Sequence, residues 1–405
     1  MKKPNPYNKV RSKATGKSWI HSFRSTQNKT REILFAFILL VLFIPLVEYK
    51  SKMVTMKPLG GSFELAKDTT CTLEGWFDGK YQRNQTNYYN DNFGFHNFFI
   101  RLHNQLDFTL FKKANSDNLN VGKENYIFWA SQIKAYYGED YIGADSIKNR
   151  LRKLKFIQDT LSKLGKMCMI VLAPGKAAFY PEYIPERFKT SRGPTNYQYY
   201  SKYAKELSIN CLDLTSLFLS IKAKATYPLF PQYGVHLSYN GNVDAGEILL
   251  GMVESLGKIK ITPLTYVNLE STEEAGTDLD GENNLNLLFS LKKRRVQYMQ
   301  GYVPKDSKIL AIPSFLVIGD SYAKMMFSKS GISNVISARS HFWYFGKKMY
   351  SRSDPTFAKT VDVGPESAKT AVLSHDVIVI METDINLPNF SYGIIESLYD
   401  QFKKG

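Results

Sequence analysis

The sequence has 405 residues, 43% apolar and 22% charged, with 26 tyrosines, 26 phenylalanines and a formal net charge of +16. That composition excludes a disordered chain and leaves room for two or three average domains, or one large α/β domain with additions. Residues 1–31 hold nine Lys and Arg and no acid, so +16 less 9 leaves +7 for all that follows. The basicity is therefore positional and gives no argument for nucleic-acid binding; a mildly basic remainder suits acidic glycans or an anionic membrane surface.

Ile33–Val47, ILFAFILLVLFIPLV, is apolar throughout. As a helix it rises roughly 22 Å, against a hydrocarbon core of about 30 Å. EYKSKM follows, with no small-x-small cleavage site. The expectation is an uncleaved signal anchor over 33–49, with 1–32 as a basic cytoplasmic segment and the rest extracytoplasmic. A single-pass protein of the cell membrane results. Residues 50–120 then read as a membrane-proximal linker and helix, and 121–405 as the main domain.

Apolar and aromatic residues recur at helical spacing from about His96, and VGKENYIFWA (121–130) reads as strand-turn-strand. Next come a helix over 144–165, a strand in KMCMIVLAP, a helix over 197–207, a strand in INCLDL and a helix over 243–257. SFLVIGDS is a strand leading into a helix, SNVISARSHFWYF reads as one strand, and DVIVIME precedes a closing helix at 394–402. Apolar strands alternating with helices predict a parallel sheet covered on both faces. Residues 268–286, acidic and polar, read as a surface excursion. Their TDLDGENN lacks EF-hand spacing. Cys71, Cys168 and Cys211 show no metal spacing, and buried free thiols are expected at the last two. No metal and no cofactor is expected.

FLVIGDSYA ends a predicted strand on Gly-Asp-Ser ahead of a helix, which exposes Ser321 at a strand-to-helix turn. The Tyr322 backbone N–H is a candidate oxyanion donor there. Of six histidines, His236 ranks first as base, because QYGVHLSYNG is a polar loop just before a helix, and His341 ranks second. His96 and His103 lie on the membrane-proximal helix, His375 opens a strand, and His21 falls on the cytoplasmic side. Lys176, after a strand end in APGKAAFYPEY, could touch a glycan or an acyl group.

The chain resembles the AlgX/AlgJ family of alginate O-acetyltransferases, which carry an SGNH-hydrolase-like domain. The resemblance rests on NYYNDNFGFHNFFIRLHNQL, VGKENYIFW, VLAPGKAAFYPEYIP, GVHLSYNGNVDAG, FLVIGDSYA and DVIVIMETDINL, in the family's order from about Gly79 onward. It implies a flavodoxin-like three-layer α/β fold, Ser321 as nucleophile and His236 as base. It further implies acetyl transfer to hydroxyls of an exported polysaccharide, with the donor handed over by a membrane-bound O-acyltransferase (MBOAT) partner. The end of the chain soon after the closing helix suits the single-domain members.

The family's Asp-x-His block places an aspartate two residues before the histidine, and this chain has Gly234 there, with Leu237 where a tryptophan is usual. Three readings follow. Another carboxylate serves, with Glu382, Asp384 and Asp244 as candidates; or a Ser-His dyad works slowly; or catalysis is lost and glycan binding or a scaffold role remains. An O-acetyl esterase shares the same nucleophile and differs only in its acceptor.

Overall fold

The computed structural model describes residues 16–61, 65–116, 118–305, 307–354 and 359–404, and side chains from 29 onward. The first half of the basic leader, 1–15, lies outside the described residues, as does the side chain of His21. The chain divides into two compact units, one ending at Arg101 and one running from Leu102 to Gly405.

In the first unit, α1 (Gly16–Ser51) is a single helix with Pro45 inside it. Its Lys29–Ser51 stretch has a mean hydropathy of 2.3 and no buried side chains. These 23 residues rise about 34 Å, long and apolar enough to cross a bilayer. A short helix at Leu73–Phe77 precedes α2 (Lys80–Asn92), and α3 (His96–Phe111) continues into the second unit. The latter starts at the residue its apolar spacing predicted.

The second unit opens with a short antiparallel hairpin, Leu119–Val121 against Ile127–Trp129. It runs straight into α4 (Ala130–Tyr137), a helix the sequence reading did not separate from the hairpin. Then come α5 (Ala144–Lys163), β1 (Met167–Ala173), α6 (Asn196–Glu206) and β2 (Cys211–Asp213). A long excursion holds α7 (Tyr239–Gly257), four residues longer at its start than predicted because Ser238 caps it through Gly241 N–H. The core resumes with β3 (Phe315–Gly319), α8 (Ser321–Lys329) and β4 (His341–Tyr344). It closes with β5 (Lys348–Ser351), β6 (Thr360–Asp362), β7 (Val377–Thr383) and α9 (Ile394–Lys403).

The sheet order is β6-β5-β4-β3-β7-β1-β2. The five strands from β4 to β2 are parallel, and β5 and β6 add an antiparallel edge. β3, β7 and most of β1 are buried on both faces, which is why they read as unbroken apolar runs. Alternate residues serve opposite cores. Met169, Val171, Val317 and Val379 pack with Ala245, Leu249 and Met326 of α7 and α8. Ile170, Leu172, Leu316 and Ile380 pack with Leu151, Tyr200 and Leu398 of α5, α6 and α9. This is the expected three-layer α/β arrangement. The last strand enters the middle of the sheet, however, beside the first, so the order departs from the flavodoxin sequence of strands.

One further expectation changes. SNVISARSHFWYF is not one strand: Ile332–Asn334 is a 3-10 turn and only His341–Tyr344 joins the sheet. Cys168 and Cys211 lie on neighbouring strands as free thiols, and burial pushes both up to about 12.

Candidate active site

Ser321 is the first residue of α8, at the carboxyl end of β3. Its neighbour Asp320 is fully buried and accepts four hydrogen bonds. Oδ1 takes Tyr322 N–H at 2.9 Å; Oδ2 takes Thr383 N–H at 3.0 Å, Thr383 Oγ1 at 2.6 Å and Asn386 Nδ2 at 2.7 Å. Asp320 therefore caps the helix that carries Ser321 and ties it to the end of β7. The Tyr322 N–H is thereby engaged, which corrects its expected oxyanion role.

His236 lies beside Ser321, with Nε2 2.8 Å from Ser321 Oγ. Its Nδ1 makes a short hydrogen bond and ion pair with Asp280 Oδ2. The other oxygen, Asp280 Oδ1, accepts Val235 N–H at 2.8 Å. The imidazole is buried between the edge of Trp129, centroids 4.8 Å apart and planes at 84°, and the Tyr322 ring at 4.9 Å. Tyr322 donates its hydroxyl proton to Val235 O at 2.6 Å and accepts from Gln132 Nε2 at 2.9 Å, which also reaches Val235 O at 2.9 Å. Trp129, Gln132, Tyr322 and Asp280 thus fix the ring and its backbone from four sides.

Asp280 lies in the segment expected to be a surface excursion. Leu279 and Leu285 of that segment, with Leu287 just after it, are buried in a core with Ile127, Tyr233 and Val235, and Glu274, Asp278 and Glu282 are buried as well. Asp278 accepts Tyr239 N–H at 2.9 Å and Tyr298 Oη–H at 3.2 Å, and burial raises its carboxyl to about 7. The excursion is pinned to the start of α7 and brings Asp280 to His236.

None of the three carboxylates considered from sequence takes that position. Asp244 accepts the Tyr227 hydroxyl at 2.6 Å and Glu382 the Tyr392 hydroxyl at 2.7 Å. Asp384 is buried against Gly175. Gly234 has no space for a side chain: a Cβ there would fall 2.6 Å from Pro231 Cγ and 2.9 Å from the carbonyl oxygens of Thr277 and Asp278. The backbone that carries Asp280 occupies that space.

His341 is at the far end of the sheet. It pairs with Leu316 across the parallel ladder and hydrogen-bonds His375 at 2.9 Å. Five residues separate Leu316 from Ser321, roughly 16 Å along a strand. Lys176 is fully buried, and its Nζ donates to the carbonyls of Ile127 at 2.8 Å, Gln232 at 2.9 Å and Gly234 at 2.6 Å, over the rings of Tyr126 and Phe128. A lysine in that place braces the hairpin and the His236 loop and cannot reach a glycan. Burial holds its pKa well below the usual lysine range.

A three-layer α/β unit with a Ser-His-Asp chain of hydrogen bonds at the carboxyl end of its parallel strands is an SGNH-hydrolase-like domain. Residues 119–287 match the family model "SGNH hydrolase-like domain, acetyltransferase AlgX", a stretch that includes His236 and Asp280. The probable alginate O-acetylase AlgJ of Pseudomonas syringae pv. tomato is 24% identical over 274 residues, 65% of this chain and 67% of that protein. Two solved structures are similar. The O-acetyltransferase domain of Pseudomonas putida AlgJ has 16% identity and a TM-score of 0.45, with 70% of this chain and 99% of that one covered. Pseudomonas aeruginosa AlgX has 12% identity and a TM-score of 0.43, with 68% of each chain covered. The family model and the curated relative support an AlgX/AlgJ-like, SGNH-hydrolase-like assignment for this chain.

Proposed function

We propose that this protein is an O-acetyltransferase that carries acetyl groups on Ser321 to hydroxyls of an exported polysaccharide. The observation that carries this reading is the continuous hydrogen-bonded line from Ser321 Oγ through His236 to Asp280. In the first half-reaction Ser321 Oγ attacks the acetyl carbonyl and His236 Nε2 takes the serine proton, then gives it to the leaving oxygen of the donor. In the second, a sugar hydroxyl gives its proton to Nε2 and attacks the acyl carbon, and Ser321 Oγ recovers the proton as it leaves. Asp280 holds Nδ1–H, fixes the tautomer and stabilises the imidazolium. With Tyr322 N–H engaged, the N–H of Ser321 itself, at the first helical position, is the donor this reading assigns to the developing oxyanion.

The apolar stretch of α1 serves in this reading as a membrane anchor, with the basic leader in the cytoplasm and the second unit outside. Acetyl-CoA does not cross a membrane, so the donor is supplied by a membrane-bound O-acyltransferase partner. A scaffold role was attractive only while Gly234 left the histidine without an acid, and Asp280 removes that reason. Full-length protein in lipid nanodiscs, given an activated acetyl ester and a polysaccharide fragment, tests the reading. Acetylated oligosaccharide is the expected product. Acetate alone, at a rate indifferent to acceptor concentration, would make the protein an esterase.

A further inference from the structure

The first unit holds an aromatic turn that acetyl transfer does not use. Phe93, Gly94 and Phe95 join α2 to α3, and Phe98 and Phe99 follow in the first turn of α3. The rings of Phe93 and Phe99 stack with centroids 6.1 Å apart, and Phe98 meets Phe99 edge-on at 5.6 Å. Phe93 remains 40% exposed and Phe99 44%. Phe95 has φ +61°, a left-handed conformation that is an outlier for a bulky side chain. A strained, open cluster of phenylalanines is unfavourable in water and calls for an apolar neighbour.

Contacts with α1 show where that neighbour lies. Tyr88 faces Tyr49. Phe95 N–H donates to Glu48 Oε2 at 3.2 Å. Gly94 sits so close to Pro45 that a Cβ would overlap the proline carbonyl. Gly94 and Phe95 therefore lie against the last turns of α1 between Pro45 and Tyr49, where the apolar run ends at Val47. Phe95 shares an apolar groove there with Leu40, Phe43, Ile44, Val47 and Met53. The residue types are layered accordingly. Phe95 stands level with the apolar run, Tyr49 and Tyr88 stand next to it, and Lys50 and Lys52 come last, with Lys50 Nζ 5.4 Å from the Tyr49 ring centroid. Apolar rings, then amphipathic rings, then cations is the order in which a bilayer boundary sorts side chains.

We propose that the Phe93–Phe99 turn is a second membrane-inserted element, seated in the boundary of the bilayer that α1 crosses, with lipid as its partner. The proposal rests on the reading of α1 as an anchor. Two-point contact would fix α2 and α3 relative to the membrane, which a single helix cannot do.

The test uses full-length protein with Cys71→Ser, carrying Phe99→Cys or Leu40→Cys labelled with a small fluorophore. It is reconstituted in phosphatidylethanolamine–phosphatidylglycerol vesicles with nitroxide near the headgroup or near the end of the acyl chain. Phe93→Cys provides a second position on the turn. At Phe99 and Phe93 the label is expected to lose roughly half its emission to the headgroup-side nitroxide, and at Leu40 to the deeper one. Quenching at Leu40 with none at Phe99 or Phe93 would overturn the inserted turn and leave the anchor standing. No quenching at any of the three would overturn both.

Discussion

Asp280 binds His236 from 44 residues further along the chain, and with its second oxygen it holds the N–H of Val235, the residue just before that histidine. In the AlgX/AlgJ family that the chain resembles, the expected acid lies two residues before the histidine, where this chain has Gly234. Here a different loop supplies the carboxylate and fills the space that the missing side chain at Gly234 would need. Asp280→Asn is expected to lower the acetyl-transfer rate about 10³- to 10⁴-fold with the fold intact, as seen when a triad acid is neutralised. Adding Gly234→Asp should not restore it, because Pro231 and the 277–278 carbonyls stand in the way. Rates of the single and double variants, with circular dichroism to monitor folding, check both statements.

In the proposed reaction Tyr322 would act through His236, against which its ring lies. Tyr322→Phe removes a buried hydrogen bond to Val235 O and leaves Gln132 with one acceptor fewer. A loss of about 1–2 kcal/mol in stability is expected. The rate should fall more than KM changes, since the ring lies against the imidazole. A rise in KM at constant kcat would assign Tyr322 to substrate binding instead.

Lys176→Met is expected to destabilise the protein by roughly 3–5 kcal/mol, because three carbonyls lose their shared buried donor at once. Denaturant unfolding measures this. A variant of native stability with a raised KM for glycan would return Lys176 to the substrate.

Much of this architecture was legible in the sequence, and the reasons are physical. β1, β3 and β7 are buried on both faces, so their apolar runs stand out, and Gly-Asp-Ser after such a run marks the turn that exposes Ser321. His236 could be ranked first because a polar loop before a helix presents side chains at a sheet edge. Asp280 was hidden because TDLDGENN looks like a solvated acidic loop by charge alone. The signal lay in Leu279, Leu285 and Leu287, which anchor the segment in a core. Lys176 misled for the opposite reason: a lysine after a strand end reads as exposed, and only the closing hairpin buries it. The Tyr322 N–H was similarly claimed by Asp320, whose capping role a Gly-Asp-Ser motif does not disclose.

Stability should fall as pH rises from mildly acidic to mildly alkaline values. Burial raises the carboxyls of Asp278 and Asp384 to about 7 and about 8, against unfolded values near 4. The folded state therefore holds more protons than the unfolded one across that window. The contribution is complete below about pH 4 and is lost as pH climbs through the two folded values. Urea midpoints at about pH 5 and pH 8 should differ more for the native protein than for Asp278→Asn or Asp384→Asn. Equal differences in all three would contradict the assignment.

Intact-mass analysis of the full-length protein after exposure to an activated acetyl ester tests the central claim most directly, with Ser321→Ala, His236→Ala and Asp280→Asn alongside. A single acetyl on the native chain is predicted, absent from Ser321→Ala and accumulating far more slowly in the other two. An adduct that persists in Ser321→Ala, or forms equally fast in Asp280→Asn, would contradict it.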